Sequence, residues 1–167
     1  MRISRKALLW LVPIFMTIHN LEEALSMPAF LPARNLSIPD TLRSLLPPIT
    51  YRQFLIALII VSIIPYLIAL FGRLDGENGK GVCLLLGVQV VMLINVFAHA
   101  MMAVVMRGYT PGVITAFAVN LPFSVYLLRR AVKERWVPRR VMALLFPVGL
   151  IIHGLGLPAL IFLFSSI

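Results

Sequence analysis

Long apolar runs alternate along the chain with short polar or proline-rich breaks. Five of these runs approach the roughly 20 residues a helix needs to cross a bilayer. They are about Lys6–Leu25, Arg52–Phe71, Val82–Met106, Val113–Val132 and Val141–Phe164. None shows the two-residue alternation of a strand, and in lipid a helix satisfies its own backbone. The predicted fold is therefore all-α: a polytopic transmembrane bundle of about five helices, forming a single domain over residues 1–167. The fourth helix reaches full length if Arg129 and Arg130 snorkel to the interface. Pro13, Pro65, Pro122, Pro147 and Pro158 fall inside the runs and predict kinks. No internal repeat is found, so an inverted-repeat transporter has no support.

The breaks differ in character. Leu74–Gly81 is short, polar and glycine-containing, as a tight turn requires. Ser26–Tyr51 is the longest and carries Pro28, Pro32, Pro39, Pro47 and Pro48. Within it, Ile38–Leu46 has the pattern of a short amphipathic helical segment lying on the outer surface. Met1–Ile18 resembles a signal peptide in its basic start and apolar body. Because the run leads straight into His19-Asn20-Leu21-Glu22-Glu23 with no small-residue cleavage site, a retained first helix is expected.

Composition agrees with this pattern. The chain is 60% hydrophobic and only 13% charged, against about 25% charged in soluble domains, and its mean hydropathy is +0.98. The formal net charge of +9 does not indicate nucleic acid, because the basic residues sit at the ends of the apolar runs. With the N-terminus inside, eleven basic residues lie on the inner side and four on the outer. That bias predicts an N-in, C-out multi-pass protein of the inner membrane, with the basic Arg129–Arg140 loop against anionic lipid heads. The single cysteine, Cys83, excludes an internal disulfide.

The informative residues are the polar ones inside the runs. Two of the six acidic residues, Glu22 and Glu23, and all three histidines, His19, His99 and His153, lie in predicted spans. Ionisable groups cost a few kcal/mol each in the membrane and mark functional sites by default. His19, Glu22 and Glu23 are spaced i, i+3, i+4, so the glutamates flank the histidine at about −60° and +40° around the helix. Asn95 and His99 share a face of the third run. Gly149, His153 and Gly156 share a face of the last, where small residues let a neighbouring helix approach. Counting at 1.5 Å per residue puts His19, Asn95, Asn120 and His153 roughly 20 Å above the inner face, with Glu23 and His99 about 25 Å up. One polar layer in the outer half of the bilayer is expected.

Three chemistries suit such a layer. A divalent metal, zinc, iron or manganese, bound by His19, Glu22, Glu23, His99 and His153 would neutralise the carboxylates. The leading reading is a metal-assisted enzyme acting on a lipid or isoprenoid-like substrate. A metal-free acid–base isomerase, with Glu22 or Glu23 as the proton-transfer group, is the alternative. A non-enzymatic scaffold or ion-binding module, its helices tied by Glu–His hydrogen bonds, is the third.

His19-Asn20-Leu21-Glu22-Glu23 matches the HxxEE motif, His99 follows, and Tyr109-Thr110-Pro111-Gly112 matches YxPG. In this order, over about Leu9–Leu128, the chain resembles the HXXEE-domain family of bacterial membrane proteins, whose function is not established. The resemblance implies that His19, Glu22, Glu23 and His99 belong to the site, and it says little about the reaction. Read locally, Thr110-Pro111-Gly112 is a tight turn and Tyr109 an interfacial tyrosine. The turn lies above the polar layer, so Tyr109 is also a candidate catalytic residue.

Overall fold

The computed structural model describes residues 3–36, 49–74 and 79–163. Among these residues it is all-helical, with five helical segments that follow the five apolar runs. We label them α1 (Arg5–Leu36), α2 (Tyr51–Phe71), α3 (Lys80–Met106), α4 (113–133) and α5 (139–163). Helices α1, α2, α3 and α5 are long and apolar enough to cross a membrane, α1 over Arg5–Pro32 and α5 over Arg139–Leu163.

Helix α1 is longer than its apolar run. It continues past Leu25 through Pro28 and Pro32 to Leu36, taking in the start of the predicted connection. Proline normally ends a helix because it supplies no N–H to the carbonyl four residues back. Here the Tyr51 hydroxyl, at the start of α2, donates to the Ala24 carbonyl that Pro28 leaves open, at 3.0 Å. One turn earlier, the Ser26 hydroxyl donates to the Glu22 carbonyl at 2.6 Å. The Tyr51 side chain thus replaces a lost backbone bond, one of the ways membrane helices tolerate proline. The segment Ile38–Leu46 lies outside the described residues.

Helix α2 starts at a capping box in which Thr50 and Gln53 exchange side-chain and backbone bonds. Helices α4 and α5 each contain one wide π turn, Ala116–Asn120 and Ile152–Gly156. Each π turn lies just before a proline, Pro122 or Pro158. The amide of Leu121 reaches back five residues to the Ala116 carbonyl, so the wide turn takes up the register that the proline breaks. Asn120 faces inward at the end of the first π turn, and His153 sits in the second.

Two apolar clusters fill the bundle. One joins Leu8, Leu9 and Val12 of α1 to Leu85, Leu86 and Val90 of α3 and Leu127, Leu128 and Ala131 of α4. The other joins Met27 and Leu31 of α1 to Phe54, Ala57 and Leu58 of α2 and Ile161 of α5. On α1, His19 falls between them. Gly149 lets α5 close on α3, since a Cβ there would sit 3.0 Å from both Val90 and Ile94. Polar pairs tie the helices together: Asn20 to Ser62 (2.8 Å) between α1 and α2, and Gln89 to Ser124 (2.6 Å) between α3 and α4. Outward faces are strongly apolar, with Phe71, Phe97, Val104, Val105 and Leu150 all exposed. In water this would be an aggregation surface; in a bilayer it is the lipid contact.

Candidate metal centre

The HxxEE segment places three side chains at successive positions on one side of α1, and each meets a different partner. Glu22 turns to the start of α4. Its Oε2 accepts the Thr115 amide at 2.7 Å and the Thr115 hydroxyl at 2.5 Å. Its Oε1 accepts the Tyr109 hydroxyl at 2.9 Å and the Ile114 amide at 3.2 Å. The first amides of a helix have no partner within it, and a carboxylate is the natural one. Glu22 therefore locks α1 to α4 and has its acceptor sites filled. Tyr109, half exposed, is its clamp. Partial burial raises the pKa of the phenol above its ordinary value, with Glu22 adding to the rise and the Ser26 hydroxyl partly offsetting it. Tyr109 thus keeps the proton it donates.

His19 is fully buried, and its Nδ1 lies 2.9 Å from Thr115 Oγ1. A threonine hydroxyl has one proton to give, and the short contact to Glu22 takes it. The imidazole must then be the donor to Thr115 Oγ1, so His19 carries its proton on Nδ1 and a bare lone pair on Nε2. The Asn95 amide nitrogen, with two protons, reaches His19 Nε2 at 2.8 Å and His99 Nε2 at 3.0 Å. His19 thus aims an unprotonated Nε2 inward, and His99 Nε2 faces it beside the same amide. The chain Glu22–Thr115–His19 is the outer-shell arrangement that fixes the tautomer of metal-binding histidines. Isotope-edited nitrogen NMR is expected to find His19 as the Nδ1–H tautomer. Thr115→Ala should let the tautomers mix and Thr115→Ser should not; an Nε2–H signal for His19 in the unaltered protein would contradict this chain of donors.

Glu23 completes the cluster. Its Oε1 is 3.3 Å from His99 Nε2 and 3.9 Å from His19 Nε2, and the two Nε2 atoms are 3.2 Å apart. Two imidazole nitrogens and a carboxylate oxygen this close favour a positive charge between them, either a metal ion or a shared proton. The point equidistant from all three lies about 2.0 Å from each atom, the bond length of zinc to imidazole nitrogen or carboxylate oxygen. His19, Glu23 and His99 are the His/Glu group in the described residues whose ligand atoms fit one ion.

Gly112 closes the cluster from above. Its φ is +81°, a conformation that glycine adopts without steric cost. A Cβ added there would lie 2.8 Å from Glu23 Cγ, His19 Cε1 and His99 Cε1 alike. The YxPG turn is thus a lid of backbone resting on the three side chains.

The remaining expected residues stand further out. Asn95 bridges the two imidazoles. His153 lies outside the three-atom group. It lines, with Glu23 and Asn95, a partly open cavity of about 290 Å³ between α1, α2, α3 and α5. Asn120 is buried, and neither its amide nitrogen nor its amide oxygen has a partner among the described residues. Thr115 carried no distinguishing sequence signal, and Gly112 stood out only as the last residue of YxPG, with nothing to place it against the histidines. A threonine three residues into a helix and a glycine after proline are ordinary turn and cap chemistry.

Residues 10–127 match the family described as "Protein of unknown function with HXXEE motif". The chain is 28% identical over 141 residues to the uncharacterized protein YrkK of Bacillus subtilis (strain 168), covering 83% of this chain and 84% of that protein. No solved structure matches.

Proposed function

We propose for this chain, which belongs to the HXXEE family, a membrane-embedded, metal-assisted enzyme that acts on a lipid or isoprenoid-like substrate. The observation that carries this reading is the convergence of His19 Nε2, His99 Nε2 and Glu23 Oε1 on a point at metal–ligand distance from all three. The donor set is two nitrogens and one oxygen from the protein. It suits zinc, iron or manganese and leaves a position for water or substrate, as catalytic centres do.

Charge balance favours the same reading. A divalent ion offsets Glu23 directly and Glu22 one shell out, so the buried cluster becomes neutral overall. When bound, such an ion polarises a substrate oxygen or lowers the pKa of a bound water. The protein's own contributions are distinct: Glu22 and Thr115 hold the tautomer of His19, Gly112 covers the cluster from above, and Asn95 holds the two imidazoles together and yields their lone pairs when an ion binds. The cavity that reaches Glu23 is walled mainly by aliphatic side chains, which motivates the lipid-like substrate. The positive-inside bias of the sequence supports an N-in, C-out chain in an inner membrane, with the site in its outer half.

Protein purified from the membrane without chelator is expected to carry one equivalent of a transition metal, removable by a strong chelator. Metal-free protein with an intact helical spectrum that takes up no zinc, iron or manganese would sink the proposal. One contact favours the second reading, an acid–base isomerase. At 3.3 Å, His99 and Glu23 are close enough to share a proton if no ion intervenes. In that case the metal-free protein would be the active one.

A further inference from the structure

The cavity beside the cluster has a shape and a charge that specify an occupant. It is lined by Glu23, Asn95 and His153 together with aliphatic residues of α2 and α5, among them Ile64 and Ile152. Those two residues are 45% and 51% exposed and lie in segments apolar enough to span a membrane. The mouth therefore faces sideways, into lipid. Glu23 is the charged residue of its wall, and the wall holds no lysine or arginine. His153 stands at the polar end with no hydrogen bond among the described residues, on a π turn flanked by open space at Gly154.

We propose that this cavity binds a single-chain amphiphile with an uncharged oxygen head group, such as a long-chain alcohol, aldehyde or ester. The molecule enters laterally between α2 and α5 and brings its head oxygen to His153 and the metal side of Glu23. This deepens the metal-centre reading and rests on it for the chemistry, but the binding can be measured separately.

Each part follows from a physical constraint. A buried anionic head needs a cationic partner. The wall offers none, and a divalent ion at the cluster is already balanced by Glu22 and Glu23. Phosphate and carboxylate heads are thereby disfavoured. A neutral oxygen needs only a hydrogen bond, and an unpaired imidazole in an apolar cavity can provide it as donor or acceptor. A cavity of about 290 Å³ is at the small end for ligand pockets, so it suits one chain rather than the two of a membrane phospholipid.

The experiment uses full-length protein in lipid nanodiscs with two photoreactive probes, a diazirine-bearing hexadecanol and the matching hexadecyl phosphate. Metal content is read on the same samples. The alcohol should label residues 60–64 of α2 and 152–160 of α5, and excess hexadecanol should suppress the labelling. The phosphate should label them at least about tenfold less. Gly156→Trp and, independently, Val61→Phe fill the cavity, and each should abolish the saturable labelling with metal content unchanged. His153→Ala should weaken hexadecanol binding about five- to tenfold, the loss of one hydrogen bond, and His153→Gln should restore most of it.

Labelling spread evenly over all lipid-facing helices, or equal labelling by the phosphate, would overturn the proposal. So would unchanged labelling in both cavity-filling variants. Metal present without saturable labelling would leave the metal centre standing and remove this site. Saturable labelling of metal-free protein would do the reverse.

Discussion

His99→Ala is expected to strip the metal from the protein while leaving the helical bundle assembled. His99 Nε2 lies within 3.3 Å of both other ligand atoms, so its removal leaves one imidazole and one carboxylate. Structural zinc sites bind with roughly 10–16 kcal/mol shared over four ligands. Losing one ligand should therefore cost about 3 kcal/mol, or some hundredfold in affinity. The substitution also opens space in a buried layer, for a stability cost of about 1–3 kcal/mol, which the two apolar clusters can absorb because neither contains His99. His153→Ala is the matched control. It removes a histidine from the same region but not a ligand atom of the cluster, and metal content should stay stoichiometric. Metal analysis and circular dichroism on the two variants read this directly. Equal metal in both, or loss in both, contradicts the three-residue centre.

Gly112→Ala should be nearly as damaging, although glycine offers no ligand. Two effects combine. A non-glycine residue at φ +81° is strained by about 1–2 kcal/mol. The new methyl would also lie 2.8 Å from Glu23, His19 and His99 at once, so these side chains or the turn must shift, and overpacking of this kind costs about 1–3 kcal/mol. A metal centre needs its ligands held within about half an ångström of the binding geometry. A shift of half an ångström is enough to spoil it, so metal occupancy should fall by an order of magnitude or more with helix content preserved. A Gly108→Ala control, whose Cβ would meet nothing closer than 3.9 Å, should leave occupancy unchanged. A Gly112→Ala protein that loads metal normally would mean that the turn does not rest on the site.

Helix number and most boundaries were legible because hydrophobic run length is a strong signal in a membrane. The end of α1 was not. Pro28 and Pro32 read as a break, and the compensating bond from Tyr51 to Ala24 is a tertiary contact with no local trace. Periodicity placed His19, Glu22 and Glu23 on one side of α1, but that side spans about 100° and meets two different neighbours. Glu23 turns to His99, whereas Glu22 turns to the amides of α4, which only the packing of helices decides. Counting residues gave heights, so His153 was expected level with the cluster. Height leaves the position around the bundle open, and α5 presents His153 to the adjoining cavity instead.

The bond between Glu22 and Thr115 links residues 93 positions apart, and this has a consequence for synthesis. At about 5–20 residues per second, α1 is complete several seconds before α4 leaves the ribosome. During that interval its two carboxyl groups lack the amides, the hydroxyls and the opposing imidazole of His99 that later satisfy them. Until the YxPG turn arrives, the glutamates of the first helix must stay protonated or in contact with water. The centre is consequently among the last parts of the protein to form. An ion captured there would report that the whole chain from α1 to α4 has been threaded into place.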